Sequence, residues 1–283
     1  MNVIKAESYG ICEGVSLALS KLDELIKKEK DIYLLGNLVH NEILMDSYKK
    51  QGVNILKDGS LKDRIDRVKK GTIVFSAHGH DKKLDEYILN KGLKILDTTC
   101  PRVKYALDKI INDLKNNKDV IYIGIKNHPE AEAILSLSPS IIFIDIKNPI
   151  IPKIRLISPH IYNQTTLSIL ELKKLHNTLK NTFEDCVIEN DICFATTNRQ
   201  KAIFNINKDI KYILVIGDKS SSNTMRLYET CLSLYKEKEI YFASSIEDVK
   251  KLSLNKKESI FVTAGASTPN QIIDPIIEYL EKL

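Results

Sequence analysis

The chain has no tryptophan, no CxxC pair, no GxGxxG fingerprint and no stretch of about 18 apolar residues that could cross a bilayer. Each absence removes a class of protein. Without the glycine fingerprint, direct nicotinamide binding has no support. Without closely spaced cysteine pairs, a closed structural zinc site of the usual kind is disfavoured. The beginning, MNVIKAESYGICEGV, lacks a long apolar core behind a basic segment, so a soluble, cytoplasmic protein is expected, with no membrane partner. Basic residues are not concentrated either. The net charge is +5 with lysines spread along the chain, which favours no nucleic-acid role. The missing tryptophan accompanies abundant Ile, Lys and Asn and is read as codon bias. The five cysteines are an odd number, and a reducing cytosol disfavours a disulfide framework, so their purpose lies elsewhere.

What the chain does have is a repeat. At 283 residues, 43% hydrophobic and 28% charged, it is globular and large enough for one to three domains. Six segments share one plan, a short β-branched run, a polar loop and a helix-period stretch: DIYLLGNLVHNEIL, GTIVFSAHGHDKKLDEYIL, DVIYIGIKNHPEAEAIL, KIRLISPHIYNQTTLSILELKKL, KYILVIGDKSSSNTMRLYETCL and SIFVTAGASTPNQIIDPIIEYL. Such alternation predicts α/β architecture with largely parallel sheets, in which loops at the carboxyl ends of strands gather ligands.

Three cysteines fall at equivalent places in this plan. Cys12 precedes a helical pattern through Val15, Leu19, Leu22 and Ile26; Cys100 precedes PRVKYALDKII; Cys193 precedes FATTNRQKAIF. Pro101 suits a first helical position, which puts Cys100 at or near the N-cap, where helix-end amides favour the thiolate. Taken alone, that stretch is read equally well as holding a small buried apolar cysteine. The three thiols are spaced by 88 and 93 residues, with two strand-loop-helix units in each interval. The spacing predicts three similar α/β lobes around a shared centre, at about 1–97, 98–191 and 192–283, with room for the lobes to exchange terminal segments. Cys186 and Cys231 lack the pattern and are read as structural or incidental cysteines.

Three convergent thiolates suggest zinc, copper(I) or an iron–sulfur centre. A cluster held by three cysteines would leave one iron open for substrate, whereas four are usual. The strand-end loops supply His40, His78, His128, Glu130, Thr165, Thr166, Ser221, Ser222, Asn223 and Ser267. Each has a plain structural explanation. Ser168 to Glu171 and Thr197 to Gln200 match capping boxes, and Glu130 would favour the positive end of a helix begun by Pro129. His176 sits in a helical pattern, and His80 and His160 have no evident task. Histidines, hydroxyls and helix N-termini together make a good phosphate site. A zinc hydrolase of phosphorylated substrates and a non-enzymatic redox sensor or RNA-binding module are alternatives at this point, separable by metal content and by diphosphate binding.

The motifs DTTCP, HPE, QTTLS, DICFATTNRQ, SSSNT and TAGAS, in this order across nearly the whole chain, resemble the 4-hydroxy-3-methylbut-2-enyl diphosphate reductase family, also called the LytB or IspH family. The resemblance implies a three-lobed α/β fold with pseudo-threefold lobes around one [4Fe–4S] cluster held by Cys12, Cys100 and Cys193, one iron lacking a cysteine ligand. It implies that His40, His78, His128, Ser221, Ser222, Asn223 and Ser267 surround the substrate diphosphate, with Thr166 among the substrate-binding residues. Thr165 and Glu130 match positions that contact the substrate hydroxyl and supply protons, with His128 assisting. The implied reaction is two-electron reductive dehydroxylation to isopentenyl and dimethylallyl diphosphate, the last step of the non-mevalonate isoprenoid pathway, with ferredoxin or flavodoxin as electron donor. Two departures stand out. Tyr9-Gly10-Ile11-Cys12-Glu13-Gly14 replaces the family's usual Arg-Gly-Phe-Cys-Ala-Gly, and Met225 stands where a second Asn is familiar; neither removes an implied ligand.

Overall fold

Apolar runs too continuous for a one-sided sheet form the middle of each lobe. Thr72–Phe75, Val120–Gly124 and Tyr212–Ile216 are buried at every position, the pattern of parallel strands covered by helices on both faces. The computed structural model describes residues 1–189 and 191–283. Its strands are β1 (Asn2–Lys5), β2 (Ile32–Leu34), β3 (Asn54–Ile55), β4 (Thr72–Phe75), β5 (Lys94–Asp97) and β6 (Val120–Gly124), followed by β7 (Ile142–Asp145), β8 (His160–Asn163), β9 (Val187–Ile188), β10 (Tyr212–Ile216), β11 (Glu239–Ala243) and β12 (Ser259–Ala264). Among the described residues these pair, always parallel, into three four-stranded sheets ordered β3-β2-β4-β5, β7-β6-β8-β9 and β11-β10-β12-β1.

The three α/β lobes expected from the repeat are therefore present, and each follows one rule: second strand, first, third, fourth. The six strand-bearing segments legible in the sequence are the first and third strands of each sheet. In KIRLISPHIYNQTT the strand lies in the later half, His160–Asn163. The third sheet takes its fourth strand from the chain's beginning, with Asn2 opposite Ser259 and Lys5 opposite Val262. By contacts, Met1–Ser16 and Val39–Leu44 form one compact unit with Cys193–Leu283, while Leu17–Leu38 and Met45–Ile192 form a second unit holding two sheets. Residues 1–16, expected with a first lobe at 1–97, thus pack with the last lobe, because β12 supplies the hydrogen-bonding edge for β1.

Apolar packing holds each sheet. Leu214, Ile216 and Val262 face Ile273, Ile276 and Ile277 on one side of the third sheet, and Ile213, Val215 and Phe261 face Leu227 and Cys231 on the other. Each such buried side chain contributes about 1.5–3 kcal/mol. Cys231 is fully buried in that core, where desolvation pushes its thiol up to about 12, and Cys186 lies against the core of the β6–β9 sheet. Both therefore have packing roles. Among the described residues no helix is long and apolar enough to cross a membrane.

The strand order decides where ligands gather. The chain leaves the first strand in one direction and the third in the other, which opens a crevice at their carboxyl ends. The loop after the first strand carries His40 (β2), His128 and Glu130 (β6), and Ser221–Asn223 (β10). The loop after the third carries His78 (β4), Thr165 and Thr166 (β8), and Ser267 (β12). After the fourth strands, β1, β5 and β9, come Cys12, Cys100 and Cys193.

Candidate active site

In the unit of Leu17–Leu38 and Met45–Ile192, Glu130 is the central group. Pro129 opens the helix Pro129–Leu135, and His128 caps it by accepting the Glu130 N–H at Nδ1, 3.2 Å. A neutral His128 ring with Nδ1 accepting carries its proton on Nε2. The Glu130 side chain points inward rather than toward a solvated helix end, and only 2% of the residue is exposed. Its Oε1 accepts the Thr165 N–H at 2.7 Å and its Oε2 the Thr165 hydroxyl at 2.8 Å, with Tyr122 Oη at 3.4 Å from Oε1. Burial pushes this carboxyl up to about 7 despite those bonds, and the nearby Asp191 charge adds to the rise. An acid so placed is protonated about half the time at neutral pH.

The neighbouring loops are braced. Gln164, fully buried, accepts the Ile125 N–H at 2.9 Å and donates to the Thr166 hydroxyl at 2.9 Å, joining the β6 and β8 loops. His78 meets His128 edge to face with ring centroids 5.4 Å apart, and its Nδ1 lies 3.3 Å from the Ser76 hydroxyl. Cys100 occupies the N-cap position of the helix Pro101–Lys115, and its N–H donates to the Ala77 carbonyl at 2.9 Å. The preceding turn is fixed by Asp97, which accepts from the Thr99 N–H at 2.9 Å and from Lys82 Nζ at 2.8 Å. Burial pushes the Asp97 carboxyl up, but Lys82 and Thr99 outweigh it and hold the group well below the usual carboxylate range.

In the unit of Met1–Ser16, Val39–Leu44 and Cys193–Leu283, two free thiols stand at helix starts. Cys12 Sγ accepts the Val15 N–H and Cys193 Sγ the Thr196 N–H, each at 3.4 Å. The helix cap expected at Thr197 is instead Cys193 itself, and Thr197 lies inside the helix Phe194–Ala202; Ser168 caps its helix as expected by accepting from Glu171. Burial pushes the Cys12 thiol up, while the Val15 N–H and the Arg199 guanidinium pull the other way. Arg199 is 4% exposed, donates to the carbonyls of Gly10 (2.5 Å) and Ala195 (2.8 Å), and its Nε has no partner among the described residues.

The same unit assembles hydroxyls and amides. Asn223 accepts the Ala266 N–H at 3.1 Å and donates to the Thr196 hydroxyl at 3.1 Å, while the Ala266 carbonyl receives the Cys12 N–H at 3.1 Å. Ser221 caps the helix Ser222–Leu234, Ser222 is its half-buried first residue, and the Ser267 hydroxyl lies 3.2 Å from that of Ser221. Ser267 also donates to the His40 carbonyl at 3.0 Å. Gly265 of the β12 loop lies close against the helix Ser222–Leu234, since a Cβ there would sit 1.8 Å from the Thr224 hydroxyl. His40 is half-buried, and burial holds its ring below the ordinary imidazole value against the opposing charge of Asp218.

The profile of the LytB protein family matches residues 3–281. The chain belongs to the LytB family. It is 34% identical over 99% of its length to a 4-hydroxy-3-methylbut-2-enyl diphosphate reductase of Wolbachia pipientis, covering 92% of that protein, and 32% identical over its whole length to the Malacoplasma penetrans enzyme of the same name, covering 98%. The solved E-1-hydroxy-2-methyl-but-2-enyl-4-diphosphate reductase of Plasmodium falciparum matches 98% of this chain and 87% of its own with a TM-score of 0.84 at 27% identity. A second solved reductase, described as the terminal enzyme of the non-mevalonate pathway, matches all of both chains with a TM-score of 0.68 at 26% identity.

Several residues around these candidate groups were not legible in the sequence. Tyr122, read only as part of an apolar strand, reaches Glu130. Asp191, whose carboxyl burial pushes up to about 6, sits two residues before Cys193 in the unremarkable run ENDIC. Arg199 left one sequence signal, a lone positive charge six residues after Cys193 in the otherwise neutral FATTNRQ.

Proposed function

We propose that this protein reduces 4-hydroxy-3-methylbut-2-enyl diphosphate to isopentenyl and dimethylallyl diphosphate, taking up two electrons and two protons and releasing water. Family membership supports the reaction class. The buried acid at Glu130 carries the assignment of chemistry to residues. Cys12, Cys100 and Cys193 are the residues to hold a [4Fe–4S] cluster, which when bound supplies the electrons and an open iron for the substrate hydroxyl. The donor chemistry fits such a group: Cys12 and Cys193 accept N–H bonds from first helical turns, and the buried cation Arg199, with an Nε unpartnered among the described residues, stands beside both thiols.

The chain's own residues then bind and protonate. His40, His78, His128, Thr166, Ser221, Ser222, Asn223 and Ser267 offer N–H and O–H donors to the diphosphate, at about 1.5–3 kcal/mol per charge-assisted bond. Glu130, neutral enough at pH 7 to be an acid, passes its proton through the Thr165 hydroxyl to the departing oxygen, so that water rather than hydroxide leaves. The Nε2–H of His128 assists this transfer. A small ferredoxin or flavodoxin in the cytoplasm is the proposed donor. The test is anaerobic turnover with a chemical reductant, following both products, alongside iron analysis. Iron-free protein that contains zinc, or iron-loaded protein that leaves the substrate intact, would refute the reading.

A further inference from the structure

A carboxylate stands where an anion site should exclude one. Asp218 lies in the β10 loop three residues before Ser221, and its charge reaches His40. It is fully engaged. Oδ1 accepts the Ser220 N–H at 2.8 Å and the Ser220 hydroxyl at 2.7 Å, and Oδ2 accepts the Glu42 N–H at 2.9 Å. Ser220 is next to Ser221, and Glu42 is two residues past His40 at the start of the helix Glu42–Lys50. One side chain thus joins the two loops that carry His40 and Ser221–Asn223. Ser267 of the β12 loop also bridges them, its hydroxyl donating to the His40 carbonyl at 3.0 Å and lying 3.2 Å from the Ser221 hydroxyl. A cleft of about 240 Å³ opens at Asp218, between Asn41–Ile43, Gly217–Lys219 and Ser244.

We infer that Asp218 is a positioning residue of the diphosphate site, clamping the His40 turn to the Ser221–Asn223 loop. This rests on the reading of these loops as the diphosphate site. The sign of the effect separates a clamp from a bystander. A bystander carboxylate repels diphosphate, so its removal strengthens binding by Coulomb's law. A clamp sets the spacing of the donors, so its removal weakens binding although a negative charge is lost.

The experiment titrates anaerobically prepared holoenzyme with inorganic diphosphate at fixed ionic strength, comparing wild type, Asp218→Ala, Asp218→Asn and Asn223→Ala, with iron content measured in each. Asp218→Ala should bind diphosphate about tenfold more weakly, a loss of about 1.4 kcal/mol, at unchanged iron content. With substrate and excess chemical reductant its KM should rise while kcat stays within about twofold, the split expected when binding alone is lost. Asp218→Asn keeps the shape but has one acceptor for two loops, so it should fall between wild type and Asp218→Ala. It also decides the matter if Asp218→Ala does not fold, since loss of charge alone would make it bind more tightly. Equal or tighter binding by the Asp218 variants, with Asn223→Ala weakened, would overturn the clamp and leave the site reading intact. Undiminished binding by Asn223→Ala, or none by wild type, would overturn both.

Discussion

Glu130→Gln should remove most of the turnover and at the same time make the protein harder to unfold in mild base. The glutamate is 2% exposed, and burial holds its carboxyl at about 7 against an ordinary value of 4.5. Because the folded value lies above the unfolded one, the folded state binds this proton more tightly. The resulting stability is fully present below about pH 4.5 and is lost as the pH rises through 7. At about 1.4 kcal/mol per pH unit of difference, an ionised Glu130 costs the fold about 3 kcal/mol at pH 8. Glutamine occupies nearly the same volume. Its Oε1 can keep the Thr165 N–H bond and its amide can donate to the Thr165 hydroxyl, so no buried partner is stranded. The variant should therefore melt about 5–10 °C above wild type at pH 8 and close to it at pH 5. Turnover with excess chemical reductant should fall on the order of a hundredfold or more, as for loss of a positioned general acid. Thermal unfolding at the two pH values and single-condition turnover check both arms. Near-normal turnover would return Glu130 to a capping role, and a melting difference independent of pH would show that its carboxyl is not held near neutrality.

Replacing Cys12, Cys100 or Cys193 by Ser should strip iron and activity, while Cys186→Ser and Cys231→Ala should retain iron; equal loss in all five would sink the ligand assignment. Cys231→Ala should instead lower stability by about 1 kcal/mol, since a fully buried group leaves the core around Leu227. Arg199→Gln should push the Cys12 thiol higher still, so the iron-free variant should alkylate at Cys12 more slowly than wild type at pH 8, with the midpoint of its pH–rate curve moved upward. His40→Ala and Asn223→Ala should each weaken inorganic diphosphate by roughly tenfold without loss of iron, as expected for one charge-assisted bond; calorimetric titration showing no change in either would move the anion site elsewhere.

The amino-acid sequence by itself determined the α/β class, the six first and third strands, and the helix starts at Cys12, Cys100 and Cys193. These are local properties. TIVF, VIYIG and YILVI are unbroken apolar runs because both faces are covered, and a proline or a polar turn marks the next helix within a few residues. The loop residues from His40 to Ser267 were legible for the same reason, since strand ends can be counted off. The short outer strands were not, because β3 and β9 have two residues each and no periodicity to read. Only the tertiary structure decided that β1 joins β12, a pairing of Asn2 with Ser259 that leaves no mark in either neighbourhood, and so placed Cys12 in one unit with Cys193. It also decided which polar residues are buried and what they pair with. Glu130 in HPE looks like an acid favouring a helix start until Thr165, 35 residues away, and complete burial turn it into a neutral-range acid. Arg199 and Asp218 look like ordinary surface charges in sequence. Burial beside two thiols, and three donors converging on one carboxylate from two loops, are facts of distance that no spacing along the chain encodes.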